Sequence, residues 1–274
     1  MSATQKEKAA RFRMLHSSPG SFVIPNPWDI GSARLLAGLG FQALATSSAA
    51  SANTLGRRDG GLTRDEALEH ARLIVNATDL PVSADLENGF GDAPETVAET
   101  IRLAAEVGLV GCTIEDTTGN PASPLYDDRL ALERVAAAAQ AARVLQFPFM
   151  LTARAHNLLY DAASLDDTIR RLQAFEKAGA DVLFAPGLPD LSAVAAVCAA
   201  VSKPVNFMVG IKGKSFSVDQ LAAVGVKRIS LATSLYRAAM TGLLDAARQV
   251  KDTGQFGFVE RSATTPELNT IMGI

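Results

Sequence analysis

The stretch EKAGADVLFA (176–185) decides the fold, because within it a predicted helix ends, a glycine follows and a run of strand-forming residues begins. Glycine commonly ends a helix, since it adopts positive φ without strain. The same order of small residue, glycine and strand recurs in AGLGFQALA (37–45), AEVGLVGCTI (105–114) and AAVGVKRISLA (222–232). The repeat predicts a chain built from successive helix-to-strand units.

Eight short strand-forming runs extend this pattern along the chain. They are FVIPN (22–26), QALATS (42–47), PVSADLE (81–87), GCTIED (111–116), FPFMLTAR (147–154), DVLFAP (181–186), PVNFMV (204–209) and KRISLA (227–232). Helical patterning fills the intervals, at 64–77, 94–106, 130–145, 164–178, 191–201 and 218–223. Mostly apolar strands alternating with helices indicate a parallel sheet covered by helices. Eight units favour one α/β (β/α)8 TIM barrel over a doubly wound sheet, which commonly has about five or six strands.

The predicted barrel takes in the whole chain. Its 274 residues would also allow two domains at roughly 150 residues each, but no linker or low-complexity segment divides residues 1–274. We expect a helical leader over residues 1–20 and a C-terminal helical tail over residues 250–274. The tail is expected to pack on the barrel or on a neighbouring subunit.

The composition excludes several classes of protein. Lys and Arg number 26 and Asp and Glu 29, so the net charge is −3 and no basic field is available for nucleic acid. No segment approaches the roughly 18 to 20 apolar residues that cross a bilayer, and residues 1–20 lack the apolar core of a signal peptide. Cys112 and Cys198 have neither metal-site nor disulfide-framework spacing. We expect a cytoplasmic protein with no nucleic-acid or membrane partner.

Carboxylates gather at the ends of the predicted strands, where barrel enzymes carry their chemistry. Asp85 and Glu87 are two apart on one strand, so both are expected on the same face, pointing into the barrel. Glu115 ends the next strand and Asp59 lies in the glycine-rich loop LGRRDGG (55–61). Carboxylates converging without His or Cys suit a hard cation, Mg²⁺ first and Mn²⁺ as the alternative. The competing interpretation is that such acids cap helices or face solvent, which we expect for Asp92 and Asp116.

A cation and several smaller polar groups complete the predicted strand ends. Arg154 could bind a substrate carboxylate as a planar fork, or form a structural salt bridge to the acids. His156 follows it closely enough to reach the same end of the barrel. The aromatic residues Trp28 and Phe90 lie near strand ends, where packing is the commoner role, although Trp28 is kept as a substrate-binding candidate. The segment GIKGKS (210–215) lacks P-loop spacing.

With these residues in place, the sequence resembles the isocitrate lyase and phosphoenolpyruvate mutase superfamily over roughly residues 10–250. The motifs that carry the likeness are NPWDIGSA (26–33), TSSAA (46–50), GRRDG (56–60), ADLENGFG (84–91), IED (114–116) and TAR (152–154). The resemblance implies a barrel, often assembled as a tetramer with its last helix exchanged between neighbours. It predicts a homo-oligomer, either a dimer or a tetramer.

The resemblance also implies roles for individual residues. Asp85 matches the direct Mg²⁺ ligand, while Asp59, Glu87 and Glu115 match residues that hold metal-bound waters. Arg154 matches the arginine near the substrate carbonyl and, with Asp59 and Glu115, is a catalytic candidate. The substrate-binding candidates are Arg154 and a set from the other strand ends: Ser47, Ser48, the Ala49 amide, Trp28 and Asn206.

The sequence departs from the superfamily in the loop after the fourth strand. True isocitrate and methylisocitrate lyases carry K-K-C-G-H there, whereas this chain has TTGNPASPLYDD (117–128). That difference argues against isocitrate as substrate, and the missing lysine argues against a phosphonate enzyme. Polar residues that remain as lid candidates are Asn120, Tyr126 and Asp127. A lid is expected because an enolate must be shielded from water.

The sequence as a whole predicts a Mg²⁺-dependent carbon-carbon lyase, of the carboxy-lyase or oxo-acid-lyase type. Its expected substrate is a small 2-oxo or 2-hydroxy dicarboxylic acid that reacts through a pyruvate-like enolate. One alternative is a phosphonopyruvate-type enzyme that breaks a carbon-phosphorus bond. The other is a non-catalytic α-keto acid binding protein, because the usual acid and base residues of the lid are absent.

Overall fold

A computed structural model describes residues 3–160 and 164–274, and its centre is a barrel of parallel strands. All eight predicted strands are present: β1 (Phe22–Ile24), β2 (Leu44–Ala45), β3 (Val82–Asp85), β4 (Gly111–Glu115), β5 (Met150–Arg154), β6 (Val182–Phe184), β7 (Val205–Met208) and β8 (Arg228–Ser230). The hydrogen-bonded order is β1-β8-β7-β6-β5-β4-β3-β2, with every neighbouring pair parallel. The predicted (β/α)8 TIM barrel is confirmed.

Contacts just beyond the strands bring β1 and β2 together. The Ala45 N–H donates to the Pro25 carbonyl over 3.0 Å. The Asn26 side chain then spans the seam, since its Nδ2 donates to the Thr46 carbonyl (2.9 Å) and its Oδ1 accepts from the Leu231 N–H (2.9 Å). Asn26 thus ties the carboxyl ends of β1, β2 and β8 together at one point.

Eleven α-helices are found in the described residues. They are α1 (Gln5–Ser17), α2 (Ile30–Gly38), α3 (Ser48–Thr54), α4 (Arg64–Ala77), α5 (Pro94–Glu106), α6 (Asp128–Arg143), α7 (Leu165–Ala178), α8 (Leu191–Ala200), α9 (Val218–Ala223), α10 (Ser234–Thr253) and α11 (Thr265–Met272). The predicted bounds of α4, α5 and α9 agree with the structure. Helix α7 ends at Gly179 with φ of 109°, as the repeated glycine pattern predicts.

The predicted helical leader is α1, and it closes the amino-terminal end of the barrel. Phe12 of α1 is fully buried against Phe22, Met150 and other residues of the strand starts. His16 is also buried, its Nδ1 lies 2.8 Å from the Phe12 carbonyl, and burial lowers its pKa to about 3. A neutral imidazole is therefore part of this lower core.

The C-terminal tail is helical, as predicted. Helix α11 packs on α2, where an added Cβ at Gly38 would lie 1.8 Å from the Ile271 carbonyl oxygen. Helix α10 has no buried residue, and Leu243 and Leu244 are 60% and 50% exposed. Within residues 3–160 and 164–274, no helix is long and apolar enough to span a membrane.

Candidate active site

A cavity of about 200 Å³ lies at the carboxyl ends of the strands. Polar side chains and loop backbone form its walls: Asn26, Ala45, Thr46, Ser47, Ser48, Ala49, Asp59, Asp85, Thr113, Arg154, Phe184, Asn206, Met208, Gly210, Arg228, Ser230, Ala232 and Thr233. Drug-sized ligands occupy pockets of roughly 300 to 1,000 Å³, so this one suits a molecule of a few carbons. Its position is the one at which TIM-barrel enzymes place their chemistry.

Asp85 lies at the centre of the polar wall, where β3 ends. Its backbone N–H donates to Thr46 Oγ1 over 3.1 Å, which fixes the strand end against β2. Its Oδ2 accepts from the Ser48 hydroxyl (3.1 Å) and from the Ser48 N–H (3.3 Å) at the start of α3. Arg154 Nη1 is 3.9 Å from the same oxygen. Burial nevertheless raises the Asp85 pKa, and the charges of Glu115 and Asp59 add to that effect.

The position of Glu87 differs from the one expected from the sequence. The strand ends at Asp85, and Glu87 adopts a left-handed backbone with φ of 50°, so simple alternation along one strand does not place it. Glu87 does not line the cavity with Asp85, although its backbone N–H donates to Asp85 Oδ1 over 3.4 Å. Burial raises the pKa of Glu87 to about 8, with further contributions from the charges of Asp85, Asp59 and Glu115.

Glu115 is the carboxylate with the strongest cationic surroundings. Arg154 Nη1 lies 3.2 Å from its Oε2, and His156 Nε2 lies 3.1 Å from the same atom. The Thr117 hydroxyl donates to Oε1 over 2.6 Å. Burial alone would raise the Glu115 pKa, but Arg154 and the bonds from His156 and Thr117 lower it to about 2. The salt bridge expected for Arg154 is present, and the same side chain lines the cavity, where binding of a substrate carboxylate stays a prediction.

Asp92 is exposed, as expected, whereas Asp116 is buried. Asp116 is 3% exposed, accepts from the His156 N–H (2.8 Å) and pairs with Arg171 (3.0 Å). Asp92 accepts a 2.6 Å hydrogen bond from the Tyr126 hydroxyl. The prediction was wrong for Asp116, because its partners His156 and Arg171 are distant in sequence and no local pattern reveals them. Asp116 orients the segment that carries His156 towards Glu115.

The substrate-binding candidates divide into two places. Ser47, Ser48, Ala49, Arg154 and Asn206 all line the cavity, as predicted. Trp28 instead lines a separate apolar groove formed by α2, α3 and α4. There its ring packs edge-to-face on Tyr236 with centroids 5.5 Å apart, and its carbonyl lies 2.8 Å from His70 Nε2. The packing role is the one that the structure supports.

Several cavity residues were not found from the sequence. Arg228 and Ser230 project inward from β8, and Thr113 from β4. The signal was available in principle, since Arg228 and Ser230 are two apart in KRISLA (227–232) and share a face. Among the lid candidates, Tyr126 is 5% exposed and bonded to Asn88 as well as Asp92, so it is anchored under the loop.

The donor set of the cavity suits a magnesium ion. Within the described parts of the chain, no three His, Cys, Asp or Glu side chains come together as a preformed metal cage. Mg²⁺ does not need one, because it commonly keeps several waters beside one or two direct carboxylates. Asp59 and Asp85 line the cavity. Burial raises the pKa of Asp85 and Glu87, and the charges of the neighbouring carboxylates, Asp59 and Glu115 among them, raise it further. A cation would relieve that repulsion.

Comparison with known proteins decides the family. The family model for phosphoenolpyruvate phosphomutase matches residues 12–251. The chain belongs to this family. The match spans every strand of the barrel and the cavity between them, so the resemblance inferred from the strand-end motifs is confirmed.

This chain is similar in sequence or structure to three relatives within the phosphoenolpyruvate mutase/isocitrate lyase superfamily. A Burkholderia cenocepacia structure, assigned only to the broad class lyase/mutase, is 52% identical with a TM-score of 0.96, covering 98% of this chain and 97% of that one. The structure of 2,3-dimethylmalate lyase is 27% identical with a TM-score of 0.86, covering 97% and 94%. Oxaloacetate decarboxylase of Ectopseudomonas mendocina is 28% identical over 90% of this chain and 86% of its own.

Proposed function

We propose that this protein is a Mg²⁺-dependent carbon-carbon lyase that acts on a small 2-oxo or 2-hydroxy dicarboxylic acid. The observation that carries the proposal is the meeting of Asp85, Ser48 and Arg154 on one wall of the cavity, with Arg154 Nη1 3.9 Å from Asp85 Oδ2. An oxygen-rich cation site beside a guanidinium suits a reaction that develops negative charge next to a carbonyl.

The residues of the cavity would have distinct roles in binding the metal and the substrate. Asp85 would bind the metal directly, with Asp59, Glu87 and Glu115 accepting from its waters. Bound Mg²⁺ supplies Lewis-acid stabilisation of enolate charge. Arg154, fixed by Glu115, would donate to the carbonyl oxygen that becomes negative. The Ser48 hydroxyl and the Ala49 amide would bind the α-carboxylate.

The relatives support the substrate class. Oxaloacetate is a 2-oxo dicarboxylic acid and 2,3-dimethylmalate a 2-hydroxy dicarboxylic acid, and the proteins named for them share this fold over most of their length. Loss of carbon dioxide from oxaloacetate leaves the enolate of pyruvate. Cleavage of a 2-hydroxy acid, with its hydroxyl proton lost to a base, gives a 2-oxo acid and a carbanion next to the second carboxylate, which is then protonated. Both reactions develop negative charge next to a carbonyl group, where a cation stabilises it. The proposal therefore keeps both the carboxy-lyase and the oxo-acid-lyase types.

Two further expectations belong to the same proposal. A homo-oligomer, either a dimer or a tetramer, is supported by α10, whose Leu243 and Leu244 are 60% and 50% exposed. A cytoplasmic location is supported by Cys112, which is buried as a free thiol rather than paired.

The test is a panel of acids incubated with Mg²⁺, comprising oxaloacetate, malate, citramalate, alkylated malates, methylisocitrate and phosphonopyruvate. Pyruvate, glyoxylate and phosphate are followed as products. Metal-dependent cleavage of one carboxylic acid, lost in Asp85→Ala and kept in the surface control Asp219→Ala, is the expected result. Activity that persists in Asp85→Ala would contradict the site assignment, and phosphate release would favour carbon-phosphorus chemistry.

A second candidate function is binding without turnover. The observation that favours it is the loop 117–128, which holds no Cys, Lys or His, while its Tyr126 hydroxyl is committed to Asp92. Metal-dependent binding of oxaloacetate or 2-oxoglutarate without product would support this role. The panel distinguishes the two functions directly.

A further inference from the structure

The guanidinium of Arg228 is buried inside the barrel with most of its donors unmatched. Arg228 is 3% exposed, and its Nη1 donates to Thr152 Oγ1 over 3.0 Å. Its Nε is buried and has no hydrogen-bond partner. Across residues 3–160 and 164–274, no ion pair includes Arg228. The charge of Asp85 favours the Arg228 cation only from beyond ion-pair distance. A buried guanidinium without a paired acid is costly, so a partner from outside the chain is expected.

Arg134 shows how this protein satisfies a buried arginine for structural purposes. Arg134 is 1% exposed, and its Nη atoms donate to the carbonyls of Gly91, Asp92 and Asn88. Its guanidinium also lies over the Tyr126 ring, 4.1 Å from the centroid. The same chain therefore surrounds one buried guanidinium with acceptors and leaves the other almost bare.

The bare guanidinium lines the candidate active site. Arg228 shares the cavity with Asn206 and Ser230 on the side formed by β7 and β8, whereas Asp59 and Asp85 come from the β2 and β3 side. Below it lies the Phe12 ring of α1, 5.9 Å from Cζ. Burial lowers the Arg228 pKa to about 10, so the side chain is still a cation at neutral pH.

We propose that Arg228 is a substrate-binding residue that pairs with the second carboxylate of a dicarboxylic acid whose first carboxylate is bound by the Ser48 hydroxyl and the Ala49 amide. The inference rests on the proposed function, and it assigns to the Arg228 guanidinium the preference for dicarboxylates over monocarboxylates. A guanidinium forms short, charge-assisted bonds with a carboxylate, and here its desolvation is already complete before the ligand arrives. A monocarboxylate would leave Arg228 unpaired.

The experiment compares malate with lactate, which differ by one carboxylate, in Mg²⁺-loaded protein. Dissociation constants are measured by calorimetry for the wild type, Arg228→Met, Arg228→Lys and the matched buried-arginine control Arg134→Met. We expect the wild type to favour malate and Arg228→Met to lose about tenfold to 100-fold of that preference, the range for a hydrogen bond to a charged group. Arg228→Lys should retain part of the preference, and Arg134→Met all of it. Thermal melts check that each variant folds, and Arg228→Lys keeps the test informative if Arg228→Met does not.

Two results would overturn the inference. One is an Arg228→Met protein that weakens malate and lactate equally, which would assign Arg228 a structural role. The other is a wild type that does not favour malate. Failure of the proposed lyase function looks different, because the acid panel would then give no product while the malate preference and its dependence on Arg228 persist.

Discussion

Magnesium affinity should depend steeply on pH because of Glu87. Its pKa of about 8 reflects burial and the neighbouring carboxylates, so metal-free protein at neutral pH holds a proton there. Glu87 can accept a hydrogen bond from metal-bound water only as the carboxylate, so magnesium binding is expected to displace its proton. At pH 6 only about 1% of Glu87 is ionised against half at pH 8, so the affinity should fall about 50-fold. Glu87 is partly exposed and solvent screening reduces this figure, so we expect a change of at least about tenfold.

The assay is calorimetric titration with Mg²⁺ in buffers of different ionisation enthalpy, which yields both the affinity and the protons released. The wild type should release about one proton more per Mg²⁺ at pH 7 than Glu87→Gln, whose amide does not titrate. The variant should bind more weakly at pH 8 yet vary less with pH. Equal proton release and equal pH slopes in the two proteins would refute the reasoning.

Two further predictions concern stability. His16 has a folded-state pKa of about 3, below its unfolded value, so the unfolded chain takes up more protons and stability falls as pH drops from about 7 towards 3. Between pH 7 and pH 5, His16 alone should lower the free energy of unfolding, measured in urea, by about 2 kcal/mol. The variant His16→Leu should not show this loss. If its stability depended on pH as that of the wild type does, the buried neutral imidazole would be ruled out. Gly38→Val should detach α11, because the new Cβ would meet the Ile271 carbonyl oxygen at 1.8 Å. Faster proteolysis of the C-terminal helix would report this, with Gly242→Ala, a glycine in open space, as the control that should resist as the wild type does.

The barrel could be predicted because its signals are local. Apolar runs flanked by glycine and proline identify buried parallel strands, and Pro94 at the first turn of α5 gave that helix its start. The observed strand and helix bounds differ from the predicted ones where side-chain hydrogen bonds replace backbone pairing. The run 42–47 contracts to β2 (Leu44–Ala45), because the Thr46 hydroxyl accepts from Asp85 and the Ser47 hydroxyl accepts from the start of α3. Helix α6 begins at Asp128 rather than at 130, since Asp127 caps it.

The candidate site could be predicted only in part, because only some of its residues have a local signal in the sequence. Asp85 and Arg154 stand out as polar residues that end apolar strands, and both line the cavity. Arg228 did not stand out, because a charged residue at the start of a strand is usually solvated. Its burial follows from barrel closure, which pairs it with Phe22 of β1. Contacts between residues more than two hundred positions apart have no counterpart in a short sequence window.

Helix α1 covers the amino-terminal end of the barrel, so the cavity is closed on that side. Phe12 is fully buried beneath Arg228, so a ligand enters the cavity from the carboxyl ends of the strands. The proposed cleavage would yield two fragments, and both would leave towards the carboxyl ends of the strands. The fragment bound nearest Arg228 would then leave last, and product inhibition studies should find it competitive with the substrate.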